Sequence, residues 1–202
     1  MDFSANVRFE HCSFRECEFA GCLRDNVFTE CTFHIIRFSM GVADSIFDHC
    51  AITRLSGPFS VRRSSFLHCS LANSRTRSQA VDLQQCRFHT CSLTDSTFVA
   101  TSFTDCRFTK VTFLRCAFPR AKWRRTIARK VTCVGCNFDS GSFGAEEWTE
   151  SVWKECTQAH AHCVGSTYTR CRTTSKCAIG LRVTACTFLG GRTEDTDYKH
   201  TV

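Results

Sequence analysis

Large apolar residues return at every fifth position along most of this chain. From Leu83 the series runs through Phe88, Leu93, Phe98, Phe103, Phe108, Phe113, Phe118 and Trp123, thins at Ala128 and Cys133, and resumes at Phe138, Phe143, Trp148 and Trp153. It continues to Tyr168, Val183 and Phe188, and between residues 83 and 188 only Gln158 and Thr173 put a polar group on the beat. Two places ahead of each beat the chain prefers something small, as at Cys86, Cys91, Ser96, Thr101, Cys106, Val111, Cys116 and Ala121. Neither common secondary structure has this period. A helix spreads residues five apart around its circumference, and a flat strand puts alternate ones on opposite faces. Only a chain that turns a corner every five residues sends each fifth side chain to one interior. The small residue two places earlier then points inward too, with room for a thiol or hydroxyl. A repeat this strict overrides any local reading of helix or strand.

The segments Cys12-Ser13-Phe14-Arg15-Glu16, Cys17-Glu18-Phe19-Ala20-Gly21 and Cys106-Arg107-Phe108-Thr109-Lys110 carry the unit most plainly. In them the chain resembles the pentapeptide-repeat family, whose unit has a large apolar centre, a small residue two places before it and variable residues between. The resemblance covers roughly residues 5 to 188. It implies an all-β fold, a right-handed quadrilateral parallel β-helix with four pentapeptides to a coil. Cys in place of the family's usual Ala, and Phe in place of its usual Leu, are departures that leave the fold expectation intact.

An unbroken register over a chain of 202 residues predicts one rod-like domain spanning 1–188, in which each coil contacts only its neighbours. About nine coils at strand spacing give a body roughly 45 Å long. A polar tail is expected over 189–202. One residue is lost between Phe19 and Leu23 and again between Phe38 and Val42, so tighter or kinked early coils are expected there. Thr53 to Pro58 reads as a turn or bulge. The stretch Ala72 to Gln79, with Arg75 and Arg77 among small polar residues, reads as the main loop projecting from the rod and a candidate contact; a tolerated surface insertion is the alternative.

The seventeen cysteines invite a disulfide or metal reading. Their number is odd, the first six residues contain no apolar export segment, and no run is apolar enough to span a membrane. Free thiols in an intracellular, reducing compartment are therefore expected. Cys133-Val134-Gly135-Cys136 is the one C-x-x-C, but Cys133 falls on a centre slot and Cys136 on the small slot of the next repeat, so both are accounted for as core. His160-Ala161-His162 beside Cys163 resembles a nucleophile cluster; in register, Ala161 and Cys163 point inward and both histidines outward, so no base and nucleophile are paired. Glu146 and Glu147 suggest an acid pair or a solvated surface, with Glu146 on a nominally inward slot that should distort its coil. No catalytic residue, cofactor or metal is assigned.

Charge adds more. Twenty-six Lys and Arg against nineteen Asp and Glu leave a net +7, and Arg120, Lys122, Arg124, Arg125, Arg129 and Lys130 crowd around Trp123. The repeat places all six outside, forming a basic band. Such a band suits nucleic acid, anionic lipid or an acidic protein face, or it merely solubilises. It carries no exposed aromatic residue to stack bases, which argues against single-stranded nucleic acid.

The family resemblance also implies a second function, protection of DNA gyrase by rods that imitate duplex DNA. That role needs an acidic surface and usually a C-terminal dimer cap; this rod is basic, and no cap is readable after Phe188. Because the beat starts by Val7 and Phe9, an end covered by a partner or by a second copy stacked end to end is expected. The reading that follows is a non-enzymatic, rigid interaction module of a larger assembly. Protein partners include acidic polymers such as microtubules, with a cytoskeletal or ciliary setting. A secreted bacterial effector is a further alternative, because one fold hosts many functions.

Overall fold

A computed structural model describes residues 6–38, 41–56, 60–76, 81–177, 182–184, 187–189 and 192–194. Among them every regular element is a β-strand, most only three residues long. A corner every five residues leaves no more, since two of each five make the turn. The strands stack in parallel into four columns. The first face begins with Arg8–Glu10 and holds ten strands, the second begins with Ser13–Phe19 and also holds ten, and the fourth begins with Cys22–Arg24 and holds nine. The third is held by the pairing of Arg75–Thr76 with Thr97–Phe98 and by single bridges such as Thr97 to Ala117 and Ala117 to Asn137. The fold is thus an all-β, four-sided parallel β-solenoid, and Phe103, Phe108, Phe113 and Phe118 line the four sides of one coil. Among the described residues no helix is long and apolar enough to cross a membrane.

Strand register follows the beat. Phe9 pairs with Phe28, Phe28 with Phe47 and Phe47 with Phe66, each nineteen residues on. Phe88 follows after twenty-two residues, and from there Phe108, Ala128, Trp148, Tyr168 and Phe188 are spaced by twenty. The residue missing between Phe19 and Leu23 tightens the coil without kinking it. Leu23 still pairs with Val42, and the corner between Phe19 and Leu23 dispenses with the left-handed residue that sits at Glu16 and Asp25 on either side.

Two boundaries differ from expectation. The coil runs on through Ser70–Ala72 and Arg75–Thr76, because Leu71 and Thr76 still fill inward slots five apart, so the loop expected over 72–79 does not begin at Ala72. Its remaining residues, Arg77 included, lie outside the described residues, as do Gly57 and Pro58. At the other end Thr187–Leu189 and Arg192–Glu194 are strands, the latter paired with Arg172–Cys177. The ladder therefore passes the expected boundary at 188, and the rest of the tail lies outside the described residues.

The interior is a stack of rings. On the first face Phe9, Phe28, Phe47, Phe66, Phe88 and Phe108 lie nearly parallel, with centroids 4.8–5.0 Å apart. That is the strand spacing itself, so the ladder sets the stack. Ala128 interrupts the column, and Trp123 reaches over from the fourth face to fill the gap, 5.6 Å from Phe108 and 6.1 Å from Trp148. Where the core is built from aliphatic residues such as Val42, Ile52, Val61 and Leu83, a cavity of about 40 Å³ remains.

The small slots explain the cysteines. Each buried thiol in a small slot sits between two carbonyls, one two residues back and one on the previous coil. Cys91 Sγ donates to His89 O at 3.4 Å and Phe66 O at 3.2 Å, and Cys136 Sγ to Val134 O at 3.5 Å and Phe113 O at 3.4 Å. Serine in the slot does more: Ser45 Oγ donates to Ala43 O at 2.8 Å and accepts from Asn26 N at 3.2 Å. The fifteen cysteines from Cys12 to Cys171 are all free.

Candidate functional site

All six residues of the predicted basic band are exposed, while Ala121, Trp123, Thr126 and Ala128 between them are buried. Lys122 and Arg124 flank Trp123 on the fourth face, Arg129 follows Ala128 on the first, and Arg120, Arg125 and Lys130 occupy left-handed corners. The band therefore wraps around one coil across two faces.

Its members are not equivalent. Arg125 makes a bidentate pair with Asp105 of the coil before, with Nε and Nη2 at 2.7 and 2.8 Å from the two carboxylate oxygens. The guanidinium holds the Asp105 carboxyl below its ordinary value. Lys130 lies 3.6 Å from Glu150, which also takes Arg170. The same arrangement recurs along the corners, with Arg63 on Asp44 and Arg115 on Asp95. Arg120, Lys122, Arg124 and Arg129 have no carboxylate partner among the described residues. Their ladder neighbours are uncharged: Ser102 and Ser142 beside Lys122, Thr104 and Gly144 beside Arg124, Thr109 and Thr149 beside Arg129. Four of the six charges are thus available to a partner and two are engaged within the rod.

Arg75, the described member of the predicted loop pair, is exposed. With Arg54, Leu55, Ser56 and Asn73 it lines an open groove along the corner between the second and third faces.

Glu146 and Glu147 do not form an acid pair. Glu147 is exposed on its strand, whereas Glu146 is 1 % exposed inside the coil. The distortion expected there is absent, since Glu147 keeps its register with both Ile127 and Thr167. Glu146 fits because its carboxylate accepts from Gly144 N at 2.9 Å and from Trp148 Nε1 at 3.2 Å. Burial pushes its pKa from 4.5 up to about 8, opposed by those two hydrogen bonds. The buried Trp123 Nε1 has no such partner.

Cys133 and Cys136 are buried, and desolvation raises the Cys133 thiol well above its ordinary value. His160 and His162 are exposed while Cys163 is buried, and Tyr168 Oη lies 3.7 Å from the Cys163 sulfur. One cluster escaped the sequence reading: Asp48, His49 and His68 each offer a donor atom within 4.8 Å of the others. The two histidines are nineteen residues apart, one short coil, and only that coil length would have disclosed the pair.

No protein-family model and no curated protein matches the chain. Among solved structures it is similar to HetL, a pentapeptide repeat protein involved in heterocyst differentiation regulation from Nostoc sp. Strain PCC 7120, at 9 % identity over 96 % of this chain and 86 % of that one, with a TM-score of 0.42. A second is QnrB1, a plasmid-mediated fluoroquinolone resistance protein, at 15 % identity over 93 % of this chain and 84 % of that one, TM-score 0.40. A third is Rfr23, a pentapeptide repeat protein from the cyanobacterium Cyanothece 51142, at 7 % identity over 51 % and 64 %, TM-score 0.32. Likeness at this level carries no inference about function. It is the chain's own ladder, four faces to a coil with one apolar centre to a face, that shows the four-sided parallel β-helix implied by the resemblance of its sequence to the pentapeptide-repeat family.

Proposed function

We propose that the chain is a non-enzymatic interaction scaffold that docks an acidic protein surface through Arg120, Lys122, Arg124 and Arg129. The supporting observation is the concentration of unpaired charge on one coil: these four cations have no carboxylate partner among the described residues, whereas the corner arginines Arg63, Arg115 and Arg125 each meet an aspartate of the neighbouring coil. A rigid ladder also holds them at fixed spacing, so a partner with matching charge loses little ordering entropy on their side. Acidic polymers such as microtubules belong to the class the band fits; the cytoskeletal or ciliary setting rests on that charge match alone. The free cysteines suit a reducing compartment. Arg54 and Arg75, beside their open groove, form a second basic position.

Co-sedimentation with microtubules, beside polyglutamate and duplex DNA as competitors, tests the reading. Binding should weaken as salt rises and be lost when the four residues are changed together to Glu. Binding that survives this reversal removes the band from the interface and leaves it a solubilising surface. Preferential competition by duplex DNA would move the assignment to nucleic acid. Gyrase protection by duplex mimicry is opposed by the net charge of +7, and a supercoiling assay with gyrase and a quinolone should show no protection.

A further inference from the structure

On the corner between the first and second faces, His49 and His68 lie one above the other on adjacent coils. Their rings stack with centroids 4.5 Å apart and planes 23° from parallel. Asp48 places its Oδ1 at 2.8 Å from His49 Nδ1 and 3.3 Å from His68 Nδ1. A tetrahedral ion bonded at about 2.0–2.1 Å to nitrogen and oxygen holds its ligand atoms about 3.3–3.4 Å apart. One of these separations meets that value, the other falls half an ångström short, and the donor atoms of all three residues lie within 4.8 Å of one another. The backbone beneath is fixed: His49 N donates to Leu67 O and His68 N to His89 O, both at 2.9 Å. The His89 ring stands edge-on to His68 at 6.0 Å and walls the site on the next coil.

Several other corners carry ion pairs between unlike charges, as Arg63 with Asp44 and Arg115 with Asp95. Here two imidazoles converge on a single carboxylate oxygen, an arrangement suited to sharing one cation. We propose that Asp48, His49 and His68 form a surface site for a divalent metal ion of the zinc, nickel or copper class, with water completing the coordination. Two imidazoles and one carboxylate are the donor set such ions accept. The thiols nearest in sequence, Cys50 and Cys69, are buried inside the coil at 2 % exposure each, so the site is one of nitrogen and oxygen alone.

Equilibrium dialysis of the full chain against Zn²⁺, with Co²⁺ as spectroscopic probe, tests this. One equivalent should bind, the Co²⁺ complex should lack thiolate-to-metal charge transfer, and added Zn²⁺ should raise the unfolding midpoint. His49→Asn and His68→Asn should each weaken binding at least tenfold, and Asn tolerates the left-handed corner so the metal-free midpoint should hold. His160→Asn, at an exposed corner distant in sequence, should keep the equivalent. Absence of saturable binding at millimolar metal overturns the proposal, as does undiminished affinity in both His variants. If either variant fails to fold, the wild-type Co²⁺ spectrum decides, and thiolate charge transfer there would likewise overturn it.

Discussion

Nearly every described corner of the rod holds one residue at a φ near +50°, and the chain fills nearly all of these positions with residues other than glycine. Asn, Asp and Gly take that conformation readily, and a β-branched residue is the worst choice for it. Ile35 is the worst placed, a large β-branched residue at φ 55° that stays 37 % exposed. Ile35→Asn should raise stability by about 1 kcal/mol, read as a shift of the urea midpoint at unchanged slope; no shift would mean that the Ile35 side chain repays its strain by packing. Glu146 supplies the second test at this scale. Its carboxyl titrates near 8 in the folded rod and near 4.5 when exposed. Between those values the folded state holds a proton that the unfolded chain has released, so stability should fall as pH rises through the window and level off above it. The full loss is roughly 3–5 kcal/mol. Glu146→Thr, which installs the residue found at Thr126 one coil earlier, should flatten this dependence even though it leaves the Trp148 indole without its acceptor. A variant with the slope of the wild type would assign it to another group.

At the level of the strand and its coil, the five-residue beat already stated which side chains point inward, and Phe108 and Lys110 test it directly. Phe108 is 1 % exposed between Phe88 and Trp123, whereas Lys110 stands on a corner outside. Phe108→Ala should cost about 3–5 kcal/mol and Lys110→Ala less than about 0.5 kcal/mol, measured by denaturant unfolding. Equal costs would contradict the register. The thiols follow the same rule. Cys22 is exposed, while burial pushes Cys116 up to about 12. Peptide mapping after native alkylation should find Cys22 modified, with Cys106, Cys116, Cys133 and Cys136 protected until the rod unfolds. What the sequence could not disclose has specific causes. The acceptance of Glu146 depends on two donors, Gly144 N and Trp148 Nε1, each two residues away and turned to the carboxyl in a way that the beat does not specify. The separation of the basic band into engaged and free charges depends on which residue stands one coil away. That neighbour is twenty residues distant in the later coils and nineteen in the early ones, so Arg125 with Asp105 is readable from the later beat, and His49 with His68 is hidden by the shorter one.

Across the described residues, strand pairing joins each coil only to its neighbours, so the rod should behave as a stack from which a unit can be removed. Residues 84–103 make one such unit, carrying Phe88, Leu93, Phe98 and Phe103 on the four faces. Leu83 and Phe103 hold the same position on adjacent coils of the fourth face, so deleting 84–103 lets Leu83 take the place of Phe103 beneath Trp123. Phe66 then meets Phe108, and Leu71 meets Phe113. Trp123 still covers Ala128, and the Asp105 to Arg125 pair is kept. This variant should fold into a parallel β-rod, with a denaturant slope lower by about a tenth because one coil fewer is exposed on unfolding. Deleting 84–102 removes one residue less and should fail. A shift of one position turns an inward side chain outward, and on the fourth-face strand no corner is available to absorb it, unlike the turn between Phe19 and Leu23. Circular dichroism and urea titration of the two deletions separate the possibilities. Folding of both would mean that the beat is a loose preference, and failure of both would mean that distant coils depend on one another in a way the stacked ladder does not provide for.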